Sequence, residues 1–454
     1  MMDIPPELYT LIFDHLTLQQ LIRSSHVCTG WRYMARDHKT FWGEAVVVEF
    51  GLVPLTPTSS AVNLFLARIS EAKGPVSVSV LIFTLSPVVH QVILPTLSRH
   101  LHRISCLRVA MPWTCGNVLL SVLQQPAPLL KTFVLNSLRA AEAWQPLCLP
   151  VDWHKNYAPP PIQALARVET FKIDCPSFYG NMPLRPIISL FPSLRHLEVG
   201  QTLQMGEGPL LVHDFDDGPL PTVQDGGMLS LSVFEPTSSA LRALDAGNIP
   251  TVDVTMLEFR EDVVKEVLGS GVQVQCRLNC SQATISTSAR SANPQHTRRS
   301  ATFSIDRALH AAERCFSSVS RFGTLVALSV HRDAWRRLCA LDANLPALEL
   351  IHTVIEYPLP AGATDAKRLR CDNLRTLVLQ SRIRTALTYR AFDTFVTASI
   401  AIRDWAALSV VLDGVTIFGP YPPVMQIAPT QVRTWDEAKS DVSSPWLLEM
   451  MRQW

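Results

Sequence analysis

The chain has 454 residues, 47% of them hydrophobic, and a net charge of +1. That length exceeds one ordinary compact domain and suits two or three, or one extended repeat array with a substantial buried core. The near-neutral balance gives no electrostatic basis for nucleic acid or an anionic membrane as partner.

The opening Met1-Met2-Asp3-Ile4-Pro5-Pro6-Glu7 has an early acid, two prolines and no basic stretch ahead of an apolar core, which argues against a secretory leader. Three short helices are predicted between Asp3 and about Trp42. Asp3 can cap the first, and Pro5 and Pro6 suit a helix start, where a missing amide donor costs nothing. Leu8, Leu11, Ile12 and Leu16 then fall on one helical face. Thr17-Leu18-Gln19-Gln20 fits a capping box, with Leu18, Leu21 and Ile22 as the apolar face behind it. Val27, Trp31, Met34 and Ala35 give a third apolar face. A unit this small buries too little to stand by itself, so it should lean on a partner or on the rest of the chain.

These residues carry a family resemblance. Ile4-Pro5-Pro6-Glu7-Leu8 resembles the opening of an F-box, and Ile12-Phe13-Asp14-His15-Leu16 resembles the apolar segment that follows it. Leu21-Ile22-Arg23 with Val27-Cys28-Thr29-Gly30-Trp31-Arg32 is similar to the closing signature, and Phe41-Trp42 to the aromatic pair beyond it. The resemblance implies an F-box over residues 1–45 that binds a Skp-type adaptor and, through it, cullin and RING subunits. By motif position it places Ile4, Pro5, Leu8, Ile12, Leu16, Leu21, Val27, Cys28 and Trp31 at the adaptor contact or in the core behind it. It implies a non-catalytic substrate receptor of a ubiquitin ligase, cytoplasmic or nuclear. The alternative is a scaffold or assembly protein that binds the adaptor without presenting substrates.

Residues 46–75 read as a connecting segment. The apolar stretch from Val76 to Leu94 is broken by Pro87, His90 and Gln91, so it suits a pair of buried elements better than a membrane span. From Val76 to about residue 435 an apolar-x-x-apolar-x-apolar pattern recurs: Ile104/Leu107/Val109, Leu130/Phe133/Leu135, Val168/Phe171/Ile173, Leu194/Leu197/Val199, Leu241/Leu244/Ala246, Leu325/Leu328/Val330 and Leu374/Leu377/Leu379. Ile104 to Leu130, Val168 to Leu194 and Leu348 to Leu374 are each 26 positions apart, a pitch within the leucine-rich-repeat range. Other gaps are irregular, and Pro112, Pro176 and Thr202 stand where regular repeats carry asparagine. This resembles the degenerate leucine-rich arrays of fungal F-box proteins. Helices are predicted between the strands at 117–124, 185–190, 303–316, 333–343 and 389–405. The expected fold is therefore α/β: a small three-helix module followed by an irregular leucine-rich-repeat-like solenoid with a parallel sheet.

Strand residues that alternate with the apolar positions face outward. Arg108, Lys172, Asp174, His196, Glu198, Asp245 and Gln380 form the candidate target-binding set. They are polar and of mixed charge, which suits an unidentified protein target rather than nucleic acid. Residues 205–227 and 281–300 read as mobile loops, the second containing Arg298-Arg299-Ser300, a weak kinase motif. Residues 436–454, with Trp446, Leu447, Leu448, Met451 and Trp454, look like an amphipathic piece covering the far end.

Catalytic signatures are missing: no phosphate loop, no His-Glu-x-x-His and no Gly-x-Ser-x-Gly. Asp214-Phe215-Asp216-Asp217-Gly218 lacks the spacing of a calcium loop, and Cys276, Cys280 and His296 lack a second zinc half-site. The ten scattered cysteines read as reduced, mostly buried thiols. No cofactor or metal is expected.

Overall fold

A computed structural model describes residues 5–38, 41–42, 46–50, 59–72, 74–82, 87–112, 116–138, 162–174, 190–200, 227–269, 272–278, 282–287, 298–304, 323–331, 334–335, 338–339, 344–355, 368–421, 426–438, 447 and 451. The chain divides into two compact units, Met1–Phe234 and Glu235–Trp454.

The first unit opens with helices α1 (Pro6–Asp14), α2 (Leu18–Ser24) and α3 (Thr29–Asp37). Strand β1 (Val46–Phe50) and helix α4 (Ser59–Glu71) lead into β2 (Val76–Ile82), α5 (Leu94–His100) and β3 (Ile104–Pro112). Helix α6 (Gly116–Leu123) and strands β4 (Thr132–Leu138), β5 (Thr170–Asp174), β6 (His196–Gly200) and β7 (Ser230–Phe234) complete it. The strands lie in chain order and each is parallel to the one before.

The sequence explains this regularity. Along β2, Val76, Val78, Val80 and Ile82 are buried while Ser77, Ser79 and Leu81 are half-exposed, the alternation of a strand with one covered face. A tight turn closes just before successive strands: the amides of Leu130, Val168 and Leu194 donate to the carbonyls of Ala127, Leu165 and Phe191. The following residues form a second ladder, Lys131 to Ser105, Glu169 to Lys131 and Arg195 to Glu169. Inside, Phe133, Phe171 and Phe191 stack with ring centroids 4.3–6.3 Å apart.

The second unit contains α7 (Ser238–Ala243), β8 (Thr251–Met256), α8 (Glu261–Leu268), β9 (Val272–Leu278), β10 (Gln282–Thr287), β11 (Arg298–Ser304) and β12 (Gly323–Val330). It continues through β13 (Leu350–Val354), β14 (Leu369–Arg370), β15 (Thr376–Thr388), α9 (Tyr389–Ser399), β16 (Ile400–Ala401), β17 (Ser409–Phe418), β18 (Val432–Thr434) and α10 (Trp435–Ala438). Its main sheet runs β8-β11-β10-β9-β12-β13-β15-β17-β18. All pairings are parallel except β11–β10 and β10–β9. Strands β14 and β16 pair separately. The pre-strand turn recurs at Leu348 and Leu374, which donate to Leu345 and Cys371.

Strands β15 and β17 share a register shift between Gln380 and Thr385. Opposite this bulge stands Gly414, at φ +67°, where a Cβ would fall inside the van der Waals envelope of the Ser381 carbonyl oxygen. Gly414→Ala is therefore expected to cost about 3 kcal/mol, from left-handed strain and overpacking together. Urea denaturation checks this, and a loss below about 1 kcal/mol would show that the bulge relaxes freely.

Several expectations change. Leu241 and Leu244 belong not to a strand but to α7 and its C-cap, since the Thr237 hydroxyl accepts from the Ala240 amide and starts a helix. The strand of that stretch is β8, where Val252, Val254 and Met256 are buried. Residues 281–300, read as a loop, include β10 and the start of β11. Thr284 and Thr302 hydrogen-bond across that pair at 3.0 Å, a cross-strand contact β-branched residues favour. Ser300 is buried, with its hydroxyl on Asp253, so Arg298-Arg299-Ser300 is no exposed kinase site. The helix expected over 303–316 begins in strand, and the helix expected over 389–405 ends at Ser399, where Ile400 pairs with Leu369. Residues 205–226, 185–189, Cys280, His296 and the acidic run at 214–218 lie outside the described residues.

Among the described cysteines, Cys276, Cys339 and Cys371 are buried and none is in a disulfide. Burial pushes the Cys339 and Cys371 thiols up to about 12, which makes them poor nucleophiles. Among the described residues no helix is long and apolar enough to cross a membrane, and no cluster suits a metal ion.

Candidate functional site

Local capping positions the N-terminal helices. Pro6 occupies the first turn of α1. Thr17 and Gln20 form the reciprocal capping box of α2, at 3.3 Å and 2.9 Å. The Cys28 sulfur accepts from the Trp31 amide at 3.5 Å and caps α3.

The three helices enclose a core of Phe13, Leu21, Ala35 and Phe41, with Tyr9, Leu16, Ile22, Trp31, Met34 and Trp42 packed against it. Tyr9, Phe13 and Trp31 meet in tilted and edge-on contacts at 5.7–6.0 Å. His38 reaches Asp14 at 3.3 Å and ties the end of α3 to the end of α1. With that core already filled, Leu8, Leu11, Ile12, Val27 and Tyr33 remain 42–73% exposed. Leu8, Leu11 and Ile12 form one stripe on α1, at spacings of three and four. A contiguous stripe of this kind on so small a module suits a protein partner.

Residues 1–46 match the model of the F-box-like family. This N-terminal module is an F-box-like domain. No curated protein matches the chain.

Within the F-box-like domain the structure separates the motif residues. Pro5, Leu8, Ile12, Val27 and Cys28 are exposed, and Leu16 and Trp31 are half-buried. Leu21 is fully buried and belongs to the core, because α2 turns that side toward Phe13. Of the two places that the motif allowed, adaptor contact or the core behind it, Leu21 takes the core. Ile4 lies outside the described residues. Leu11 and Tyr33 join the exposed set. The helical spacing that groups Leu11 with Leu8 could have found it, whereas Tyr33 carried no signal.

Beyond this domain, α4 holds its end in place. Arg68 is buried, donates to the Phe41 carbonyl at 3.2 Å and lies 5.9 Å from the Phe41 ring centroid. Burial lowers its pKa from the usual arginine value.

The outward sheet face of the first unit gathers most of the expected target-binding residues. Arg108, Val134, Lys172, Glu198 and Ser232 lie in one register row across β3–β7. Arg108 is exposed, and Lys172 and Glu198 form a half-exposed ion pair. His196, one row away, contacts the Ser230 hydroxyl at 2.8 Å. Asp174 holds the register position beside Asn136 and Gly200.

Two members of that set stand elsewhere. Asp245 is in a left-handed turn at φ +52°, with its carboxylate on the Asn248 side chain, because the segment it was read from is helical. Gln380 is on β15 but only 8% exposed, its carboxamide held by His352, Asp413 and the Met451 carbonyl.

Proposed function

We propose that this chain is the substrate-receptor subunit of a Skp–cullin–F-box ubiquitin ligase. The exposed apolar stripe on an F-box-like domain with its own filled core carries the reading. Leu8, Ile12 and Val27, with Leu11 and Tyr33, dock a Skp-type adaptor, and cullin and RING subunits follow through it. The strand–turn repeat, with its recurring 26-residue spacing, supports a leucine-rich-repeat-like target-binding region. Arg108, Lys172, His196 and Glu198 offer a polar face of mixed sign, which fits a protein target. The chain performs no chemistry itself. It raises the effective concentration of target lysines near a ubiquitin-charged enzyme, in the cytoplasm or nucleus.

Adaptor binding tests the reading. Full-length chain is expected to bind a purified Skp-type adaptor, and Ile12→Asp to weaken binding roughly 30-fold, the range of an interface anchor, without loss of helix content. Unchanged affinity in Ile12→Asp would remove the proposed surface. Co-purification of cullin with the adaptor supports the ligase; adaptor alone would point to a scaffold.

A further inference from the structure

In the main sheet, Val378 of β15 and Val411 of β17 are covered. They share a buried cluster with Ala438 and Leu447, and Leu350, Trp435 and Met451 pack around it. Trp446, Leu448 and Trp454 lie outside the described residues. Farther along, the two strands outrun their neighbours. β13 pairs with β15 only as far as Gln380, and β18 with β17 only as far as Leu412. Residues 385–388 and 415–418 then pair with each other. Among the described residues no third strand joins this parallel ribbon. Leu387 and Val415 are buried, while Ala386, Thr388, Thr416 and Phe418 are exposed. A strand pair with no third strand beside it is a template for an extended polypeptide.

The bulge at the base of the ribbon is pinned. The Ser381 and Thr385 hydroxyls lie 2.5 Å and 2.8 Å from the Ile383 carbonyl oxygen and 2.8 Å from each other. Ile383 is thereby held 70% exposed between the exposed Arg382 and Arg384, as a bulge re-aims a side chain. At the far end Phe418 and Tyr421 are 50% and 41% exposed. The Tyr421 ring meets Tyr389 edge-on at 5.7 Å, and its hydroxyl donates to the Ile427 carbonyl at 3.3 Å. Held aromatic rings beside arginines match the composition of interface centres. The charge is one-sided. Residues 381–392 hold Arg382, Arg384 and Arg390 and no acid, and residues 414–431 hold no charged residue. The flanking acids are engaged: Asp393 accepts from the Gln426 amide at 3.2 Å and Asp413 from Gln380 at 3.0 Å.

We propose that the β15–β17 ribbon and its bulge form a docking surface for an extended, acidic polypeptide segment with large apolar side chains. The segment's carboxylates meet Arg384 and Arg390, with Arg382 beside them, and its apolar side chains meet Ile383, Phe418 and Tyr421. Three arginines neutralise too few phosphates to hold a nucleic acid at physiological salt, whereas an exposed isoleucine suits a polypeptide. The proposal does not rest on the adaptor reading, and its test involves no adaptor.

The experiment uses full-length chain and two fluorescent peptides, Glu-Glu-Leu-Glu-Phe-Glu-Glu and its counterpart with lysine at every glutamate. By anisotropy the unaltered chain is expected to bind the acidic peptide roughly tenfold more tightly than the basic one, since like charges across an interface are rejected. Ile383→Ser should weaken the acidic peptide about tenfold, the loss of one anchor. Arg384→Glu together with Arg390→Glu should reverse the order of the two peptides. All three side chains are exposed, so these changes spare the core. Arg390→Glu alone, on α9 and outside the bulge, should narrow the preference about threefold. Equal affinity of the unaltered chain for both peptides overturns the proposal, and so does failure of the double variant to reverse their order. Displacement of the acidic peptide by an equal concentration of single-stranded oligothymidylate also overturns it, because the surface would then be a nucleic-acid site.

Discussion

Arg299→Ala is expected to destabilise the C-terminal unit by about 4 kcal/mol, the cost of breaking a fully buried, multiply bonded charge. Arg299 is 2% exposed on β11. Its guanidinium donates to four backbone carbonyls: Val267 at 2.8 Å, Ala246 at 2.9 Å, Gly247 at 2.6 Å and Ile249 at 2.9 Å. Val267 lies in the last turn of α8, and Ala246 and Gly247 in the short turn before β8. These are chain ends with carbonyls left over by helix geometry. One side chain satisfies them, and truncation strands them without water. Arg299→Lys should recover only part of the loss, because an ammonium cannot spread donors across so many acceptors. Urea denaturation measures both. A cost below about 1 kcal/mol for Arg299→Ala would mean that water replaces the guanidinium.

The stability of the same unit is expected to fall as the solution is acidified from neutrality toward pH 4, and His352 is the principal cause. The imidazole lies between the Ser329 hydroxyl at 2.9 Å and the Gln380 carboxamide at 3.0 Å. Gln380 directs its nitrogen to Asp413 and Met451, so its oxygen accepts from His352 Nε2–H. Nδ1 then accepts from Ser329, and the ring is neutral. Burial lowers its pKa from 6.5 to about 4, with the Gln380 contact opposing and Arg277 adding to the fall. Below pH 6.5 the unfolded chain takes up a proton that the folded chain refuses. The contribution is complete above that pH and disappears as the pH falls to about 4, a loss of about 3 kcal/mol. His352→Gln should flatten this part of the stability profile. An identical slope in the variant would assign it to other groups.

The reach of the sequence differed by element. The helix start at Thr17 was readable because capping depends on residues three apart, whereas the Cys28 cap emerged only from the structure. The inward strand residues were readable because a parallel sheet repeats its demands every strand. Leu241 and Leu244 misled because their spacing fits a helix as well as a strand, and the deciding signal was Thr237 just ahead of them. The Ser- and Thr-rich run at 281–300 looked too polar to be ordered, yet β-branched threonines suit a strand whose alternate positions, Ala283 and Ile285, are buried. The candidate site followed the same logic. That α1 would carry an apolar surplus was legible. Which residue fills the core, Leu21 or Ile12, was not, since both satisfy helical spacing and only packing around Phe13 separates them. The burial of Gln380 depends on residues about seventy positions downstream, beyond any local pattern.

Arg68 bears on how the F-box-like domain is best separated from the rest of the chain. Excising residues 1–45 removes Phe41, and with it the carbonyl and the ring that Arg68 contacts in the last turn of α4. A shortened protein would carry a fresh defect in the part meant to stay intact, and a failure to capture targets could arise from that wound alone. Single changes on the outer side of α1 leave the joint whole, so they are the cleaner scalpel.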